Sequence, residues 1–147
     1  MTGGAGYVGC LLVPELVRRG HFVLVFDRMC FGEGPLDALP VGNRCEVVRG
    51  DIRRLGEHPN LLDGIEGVVH LAGLANDPSC DLHPHLTYDV NVEGTRQLAE
   101  RSAGAGVRRF VMSSSCSVYG RGAFDILDGE SPLNPVSAYA ESKIEGE

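Results

Sequence analysis

Tyr139 and Lys143 are the residues whose types and spacing most clearly suggest chemistry. A helix predicted to begin after Ser137 would place both side chains on one face, because they lie four positions apart. A lysine ammonium beside a phenol favours the phenolate, which can act as a general base near neutral pH. Ser115 follows a predicted strand, and doubly wound folds bind ligands at the carboxyl ends of their strands. The alternative is that Tyr139 and Lys143 only share a solvated helix face.

Three glycines with a spacing of three residues, Gly3, Gly6 and Gly9, open the chain. A predicted helix and then an apolar strand ending at Asp27 follow them, an order that brings backbone close to a pyrophosphate at a helix N-terminus. Asp27 would accept hydrogen bonds from ribose hydroxyls and repel a 2′-phosphate, which favours NAD over NADP. Arg28 could instead meet that phosphate. A tight turn without a ligand, with Asp27 as a strand-end cap, is the alternative for this stretch.

The elements that must position these residues alternate between strand and helix. Apolar runs predict strands, and 3.6-residue periodicity predicts helices. The predicted strands are Phe22–Phe26, Cys45–Arg49, Gly67–Ala72 and Arg109–Met112. The predicted helices are Tyr7–Arg19 with a kink at Pro14, a brief one ending over Leu61–Gly64, His83–Ala103 and Tyr139–Glu147. Residues 28–43 and Asn76–Ser79 are predicted loops. This alternation predicts a doubly wound parallel α/β fold.

Composition narrows the class of protein. The 147 residues are the length of one domain, and a net charge of −7 argues against a nucleic-acid partner. Five cysteines without a Cys-x-x-Cys pair predict thiols in a reducing compartment and no zinc site. Cys116 is expected to be a small buried side chain, and His83 and His85 a solvated helix start with no bound metal. The sequence shows no signal peptide or membrane-spanning run, so we expect a cytoplasmic protein.

The motifs together resemble an extended short-chain dehydrogenase/reductase of the NAD-dependent sugar-nucleotide epimerase/dehydratase family. The resemblance follows the family's order over nearly the whole chain. It rests on the segments Thr2–Gly9, Asp27, Gly50–Ile52, His70–Gly73, Asn91, Ser113–Gly120 and Tyr139–Lys143. It implies a Rossmann-like NAD-binding domain over residues 1–147 that lacks the family's usual first strand and its C-terminal substrate-binding part. Without that central strand, the strands at Phe22 and Val68 are expected to expose unpaired edges.

The resemblance also implies a role for each matching residue. Ser115 would hydrogen-bond the sugar hydroxyl, Tyr139 would take its proton, and Lys143 would hold the nicotinamide ribose and activate Tyr139. The implied cofactor-binding residues are Gly3, Gly6 and Gly9 at the pyrophosphate, Tyr7 and Val8 in the same loop, Asp27 at the ribose, Asp51 and Ile52 at the adenine, Leu71, Ala72 and Gly73 at the nicotinamide, and Asn91 and Lys143.

The resemblance makes a nucleotide-sugar the expected substrate, and it leaves a homodimer open. Family dehydratases resemble Thr-Asp-Glu-Val-Tyr where this chain has Ser115, Cys116 and Ser117. The chain therefore has no acid and base for elimination of water there, which favours epimerase or simple oxidoreductase chemistry. The alternative is a truncated NAD-binding chain without turnover.

Overall fold

The computed structural model describes residues 1–32, 44–121 and 126–147. The part of the predicted loop that falls on 33–43 lies outside these residues. The described chain divides into two compact units. Unit 1 comprises Met1–Ala72 and Gln97–Met112, and unit 2 comprises Gly73–Arg96 and Ser113–Glu147. A single domain over residues 1–147 stays a prediction.

Unit 1 contains the parallel sheet. Strand β1 (Val23–Asp27) pairs in parallel with β2 (Cys45–Arg49), and β3 (Gly67–His70) pairs in parallel with β4 (Arg109–Met112). Thr2 forms parallel bridges to both inner strands. The sheet order is therefore β2-β1-Thr2-β3-β4, which confirms the predicted doubly wound, Rossmann-like fold.

Among the described residues, Met1 and Thr2 lie in the central position of the sheet, between the two inner strands. Phe26 N donates to Met1 O at 2.8 Å, Thr2 N donates to Val69 O at 3.0 Å, and Leu71 N donates to Thr2 O at 3.0 Å. The expectation that the two inner strands have no common neighbour was therefore wrong at their carboxyl ends. Met1 and Thr2 are enough to extend both ladders there, because a middle strand bonds to both of its neighbours.

Helix α1 (Gly9–Arg18) covers one face of this sheet. Its Val13 is fully buried with Val23, Val25 and Cys45, so the amphipathic pattern of the sequence becomes a small apolar core. Pro14 lies inside the helix, and the kink expected there stays a prediction.

The brief helix predicted to end at Leu61–Gly64 was wrong. A 3₁₀ helix spans Ile52–Glu57 instead, and residues 61–64 form turns. Asp51 starts the 3₁₀ helix because its side chain accepts a hydrogen bond from Arg53 N.

Unit 2 holds most of the remaining helices. The single helix predicted over His83–Ala103 is divided into α3 (Pro84–Tyr88), a π-helical turn (Asp89–Glu93) and α4 (Gly94–Gly104), which continues into unit 1. Asn91 lies inside the π turn, a feature often found at functional sites.

Helix α2 (Asp77–Leu82) occupies the segment predicted as a polar loop. It begins there because Asn76 accepts a hydrogen bond from Ser79 N and Pro78 stands in the first turn, where its missing N–H costs nothing.

Helix α5 (Ala138–Gly146) confirms the predicted helix around Tyr139 and Lys143. Ser137 is its N-cap and accepts a hydrogen bond from Ala140 N at 3.2 Å. The Ser137 hydroxyl donates in turn to Asp77 Oδ1 at 2.6 Å, and Ala138 N donates to Asp81 Oδ1 at 3.3 Å. Two carboxylates of α2 therefore fix the start of α5. Among the described residues, no helix is long and apolar enough to cross a bilayer.

Candidate functional site

The glycine loop of unit 1 is a place where backbone packs against backbone. Gly3 has φ +70°, and a Cβ there would lie 2.5 Å from Ala72 N and 2.6 Å from the carbonyl carbon of Leu71. A Cβ on Gly9 would lie 2.5 Å from the Cα of Gly4. These positions accept glycine alone because any side chain would meet main-chain atoms that cannot move aside.

The loop leads directly into the N-terminus of α1. Gly6 N donates to Gly3 O at 3.1 Å, which closes the turn. Val8 is the N-cap residue and makes no side-chain capping hydrogen bond. Tyr7 and Val8 are 90% and 55% exposed. The first turn of α1 is thus open to an anion, which the helix dipole and the N–H groups would attract.

Asp27 ties this loop to the end of β1. Its Oδ2 accepts a hydrogen bond from Ala5 N at 3.1 Å, and its Oδ1 accepts one from Met29 N at 2.8 Å. The carboxylate is half-buried, so part of it stays accessible beside the glycine loop. Asp27 therefore caps the end of the strand, and its binding of ribose hydroxyls stays a prediction.

Asp51 lies in a second polar region of unit 1. Arg53 Nη2 donates a hydrogen bond to Asp51 Oδ2 at 2.5 Å. This hydrogen bond lowers the pKa of Asp51 to about 2. Arg28 Nε lies 3.6 Å from the same oxygen, so Arg28 already has an anionic neighbour. A cavity of about 340 Å³ borders Arg28, Asp51 and Arg53. Ile52 is 6% exposed and packs inward, and its contact with adenine stays a prediction.

In unit 2, Asn91 joins three parts of the chain. Its Oδ1 accepts from Leu74 N at 2.7 Å, and its Nδ2 donates to Leu74 O at 2.9 Å and to Ser142 Oγ at 3.0 Å. A Cβ on Gly73 would lie 3.0 Å from Asn91 Oδ1. The predicted Gly73 and Asn91 are therefore in contact, and Asn91 positions the main chain that follows Gly73.

Lys143 stands on α5 together with Tyr139. Its Nζ lies 5.6 Å from the centroid of the Tyr139 ring and donates to Ser113 O at 3.0 Å. Burial lowers the pKa of Lys143, since the charged form loses hydration. Lys143 is the one lysine of the sequence, and its amine lies where burial makes the charged form less favourable. The predicted pairing of Tyr139 with Lys143 on one helix face is confirmed in geometry, while their catalytic roles stay predictions.

Ser115 precedes a 3₁₀ turn over Cys116–Tyr119. Its Oγ accepts from Ser117 N at 3.2 Å and lies 3.2 Å from Ser117 Oγ. Cys116 is exposed, so the expectation of a buried side chain was wrong. Within this turn Val118 is the buried side chain, at 3% exposed.

Sequence reasoning missed several residues that support the site. Ser142 bonds both Asn91 Nδ2 and Tyr139 O, the latter at 2.7 Å. Asp77 supports the N-cap of α5. Ser142 could have been noticed as a polar residue between Tyr139 and Lys143, whereas Asp77 is distant in sequence and carries no local signal. His83 and His85 are exposed as expected, and the described part of the chain contains no cluster that could hold a metal ion.

The sheet order and the glycine turn are those of a Rossmann-like, dinucleotide-binding α/β fold. The profile of the NAD dependent epimerase/dehydratase family matches residues 1–147, and the chain belongs to this family.

Two curated relatives show the range within the family. A UDP-glucose 4-epimerase of Klebsiella pneumoniae is 37% identical over 127 residues, covering 82% of this chain and 90% of that sequence. A 3 beta-hydroxysteroid dehydrogenase/Delta 5-->4-isomerase of Mycobacterium tuberculosis is 36% identical over 155 residues, covering 100% of this chain and 40% of that protein.

A solved structure shows the same fold. The dTDP-glucose 4,6-dehydratase DesIV of Streptomyces venezuelae, solved with NAD and TYD bound, is 31% identical with a TM-score of 0.88. The match covers 99% of this chain and 48% of that one. The chain thus spans less than half the length of the Mycobacterium and Streptomyces proteins.

Proposed function

We propose that this chain carries the NAD-binding and proton-transfer residues of an NAD-dependent epimerase-type oxidoreductase acting on a nucleotide-sugar. The observation that carries the proposal is the arrangement of Lys143, whose Nζ lies 5.6 Å from the Tyr139 ring centroid and is held by Ser113 O. A half-buried ammonium fixed beside a phenol is the environment that a tyrosine base requires.

Unit 1 supports the proposal through its fit to NAD. Gly3 and Gly9 let the glycine loop pack closely against the chain's own backbone, and the first turn of α1 has no side-chain cap. These features suit a pyrophosphate, which needs close backbone approach and N–H donors. Asp27 would accept from the adenosine ribose and disfavour a 2′-phosphate. When bound, NAD would supply the hydride acceptor.

The side chains of unit 2 would handle the proton. Ser115 Oγ would form a hydrogen bond with the substrate hydroxyl. Tyr139 would remove the proton of that hydroxyl while the carbon that bears it loses a hydride to NAD. Lys143 would stabilise the phenolate by its charge. Asn91 and Ser142 would act as positioning residues, because they hold the main chain at Leu74 and Tyr139. For an epimerase, the keto intermediate would then take the hydride back on its other face.

The relatives differ in the class of substrate that their names give. The Klebsiella and Streptomyces relatives are described as acting on glucose nucleotides, and the Mycobacterium relative as acting on a hydroxysteroid. A hydroxysteroid dehydrogenase is therefore the second candidate. Dehydration is disfavoured, since Cys116 and Ser117 stand where the dehydratases carry their acid pair. The proposal also includes a homodimer and a cytoplasmic location.

Calorimetric titration of the 147-residue chain with NAD and with NADP tests the cofactor part. We expect NAD to bind at least tenfold more tightly than NADP, because Asp27 would repel the extra phosphate. Tighter binding of NADP would overturn the assignment of Asp27. Asp27→Asn should reduce this preference, while the exposed Asp63→Asn serves as its control.

Turnover is tested by incubating the chain and NAD with UDP-glucose or with a 3 beta-hydroxysteroid and following NADH and products. Epimerised sugar supports the proposal, and steroid oxidation supports the second candidate. Tyr139→Phe should abolish hydride transfer and leave NAD affinity within about threefold, since the phenol acts on the proton. Full activity of Tyr139→Phe would overturn the role of Tyr139. NAD binding without any turnover would favour the alternative of a cofactor-binding chain only.

A further inference from the structure

The turn that precedes α2 contains a strained residue. Asn76 has φ 72° and ψ 143°, a backbone conformation that residues other than glycine rarely adopt. Its side chain also accepts a hydrogen bond from Ser79 N at 3.0 Å, so the strained residue is the N-cap of α2. Strain of this kind persists only where the surrounding contacts impose it, and it occurs most often at functional sites.

The contacts that follow this turn join α2 to α5. Asp77 comes directly after Asn76, and its Oδ1 accepts from the Ser137 hydroxyl at 2.6 Å. Asp81 Oδ1 accepts from Ala138 N at 3.3 Å. The two carboxylates lie four positions apart, on one face of α2. The backbone of Asn76 sets the direction in which α2 begins, and with it the side on which both carboxylates meet α5.

Helix α2 is anchored independently of these two bonds. Its Cys80 is fully buried, and Cys80 Sγ lies 3.6 Å from Leu74 O. Cys80 O accepts from the buried hydroxyl of Thr87 at 3.1 Å. Because other contacts hold α2, its carboxylates form a fixed support for α5 and do not merely follow it.

Helix α5 needs such a support because it is short. It has nine residues, and an isolated helix of fewer than about 12 residues is marginal in water. The Ser137 hydroxyl accepts from Ala140 N at 3.2 Å and donates to Asp77, so this one group orients the first turn. Tyr139 is the second residue of α5, and Lys143 follows it by about one turn. A shift at the start of α5 would therefore displace both side chains.

We propose that Asp77 is a positioning residue for proton transfer, which acts through Ser137 to place Tyr139. Asp81 supports the same end of α5. This inference rests on the proposed function, because that function assigns the proton to Tyr139. A misplacement of about 1 Å at a reacting group can cost about a hundredfold in rate. The bond of Asp77 thus matters for turnover even though, as an exposed hydrogen bond, it contributes little to stability.

The test uses the 147-residue chain with ¹³C-labelled lysine, which labels Lys143 alone. The nuclear Overhauser cross-peak between the Lys143 Cε protons and the Tyr139 ring reports their separation, since Nζ lies 5.6 Å from the ring centroid. Asp77→Ala should weaken this cross-peak about threefold, the effect of a shift of about 1 Å at this distance. Asp77→Asn keeps an oxygen acceptor for the Ser137 hydroxyl and should retain the cross-peak. An unchanged cross-peak in Asp77→Ala would overturn the proposal, and so would an equal loss in Asp77→Asn.

Glu141→Ala is the matched control. Glu141 is an exposed acid in the first turn of α5, and among the described residues its side chain has no hydrogen-bond partner. Its removal takes the same charge from the same end of the helix and should leave the cross-peak unchanged. A loss equal to that in Asp77→Ala would assign the effect to charge and not to the bond with Ser137, which would overturn the proposal.

Ser137→Gly provides a second route if Asp77→Ala fails to fold. Glycine is a tolerated N-cap, but it lacks the hydroxyl that Asp77 accepts from. The cross-peak should weaken as it does in Asp77→Ala, and the double variant should lose no more than either single variant. Additive losses would show that the two residues act independently and would overturn the proposal. Circular dichroism verifies the folding of each variant.

Asn76→Gly and Asn76→Ala test the strained turn. Both variants lose the capping carboxamide, but only glycine adopts the positive φ of this position without strain. Asn76→Gly should therefore retain the cross-peak between Lys143 and Tyr139, and Asn76→Ala should weaken it. Equal cross-peaks in the two variants would overturn the role given to this turn.

Turnover separates this inference from the proposed function. The cross-peak requires neither NAD nor substrate, so it decides whether Asp77 places Tyr139 even if the original chain shows no turnover, a result that would count against the proposed function alone. With UDP-glucose and NAD, Asp77→Ala should lower kcat about tenfold and leave KM within about threefold, and Asp77→Asn should restore kcat. A rise in KM with kcat unchanged would overturn the positioning role.

Discussion

Asn91 holds both backbone polar groups of Leu74, with Leu74 N donating to Oδ1 at 2.7 Å and Nδ2 donating to Leu74 O at 2.9 Å. This pairing reproduces with a side chain what a neighbouring strand would do with its backbone. Asn91 is 4% exposed, so water cannot replace these bonds easily. The π turn at Asp89–Glu93 is the local distortion within which this side chain lies.

Asn91→Ala is expected to lower the free energy of unfolding by about 2–4 kcal/mol, because buried donors and acceptors lose their partners. Asn91→Asp should be destabilising as well, since a carboxylate would face Leu74 O and Ser142 Oγ. Urea denaturation measures both effects. The exposed Asn60→Ala is the control, expected to change stability by less than about 0.5 kcal/mol. A neutral Asn91→Ala would contradict the role assigned to these bonds.

Gly9→Ala is expected to be strongly destabilising, by about 2–4 kcal/mol, because the new Cβ would meet the backbone of Gly4. Thermal unfolding measures the loss, and NAD titration should show weakened affinity in whatever fraction stays folded. Gly104→Ala is the matched control in α4, where a Cβ meets nothing within 4 Å. The control should be neutral or stabilising by up to about 1 kcal/mol, given the helix propensity of alanine. Equal effects at the two sites would contradict the close approach.

The two amines of the chain are expected to titrate abnormally. Reductive methylation with ¹³C-formaldehyde labels only the Met1 amine and Lys143, since the sequence contains no other lysine. NMR should give a pKa of about 6 for Met1 and a pKa below the usual 10.5 for Lys143, both lowered by burial.

The lowered pKa of Lys143 makes the stability of the folded chain depend on pH. The unfolded chain holds the Lys143 proton to higher pH than the folded chain does, so this group makes stability rise with pH between the two pKa values. Normal titration of Lys143 in urea-unfolded chain is the control. Normal titration in the folded chain would contradict the burial of Nζ.

Asp51→Asn should lower stability at pH 7 by about 1–2 kcal/mol, because it removes the carboxylate that pairs with Arg53 and Arg28. The Asp51 side chain is 15% exposed, and its pKa is lowered to about 2. Its stabilising contribution is present above the unfolded pKa near 3.8 and is lost as pH falls toward 2. The mutant and the original chain should thus converge in stability below pH 4.

Urea denaturation from pH 7 to pH 2 measures this convergence. Glu57→Gln provides the comparison, since Glu57 makes a longer and more exposed ion pair with Arg54 at 3.7 Å. It should cost less than about 0.5 kcal/mol at every pH. A constant difference between Asp51→Asn and the original chain across this range would rule out the lowered pKa.

The amino-acid sequence by itself determined the fold class and those strands and helix ends that depend on neighbouring residues. The apolar runs predicted the bounds of β2 and β4 correctly, and Ser137 predicted the start of α5. Both signals depend only on residues that are adjacent in sequence. The four-residue spacing of Tyr139 and Lys143 placed them on one helix face for the same reason.

Only the tertiary structure decided which residues support the site. Met1 and Thr2 bridge two strands, Asn91 bonds Leu74 and Ser142, and Asp77 bonds Ser137. Each of these bonds joins residues separated by many positions, and the sequence carries no periodicity for them. The exposure of Cys116 was misjudged because residue type predicts burial only on average, while the 3₁₀ turn determined where this side chain points.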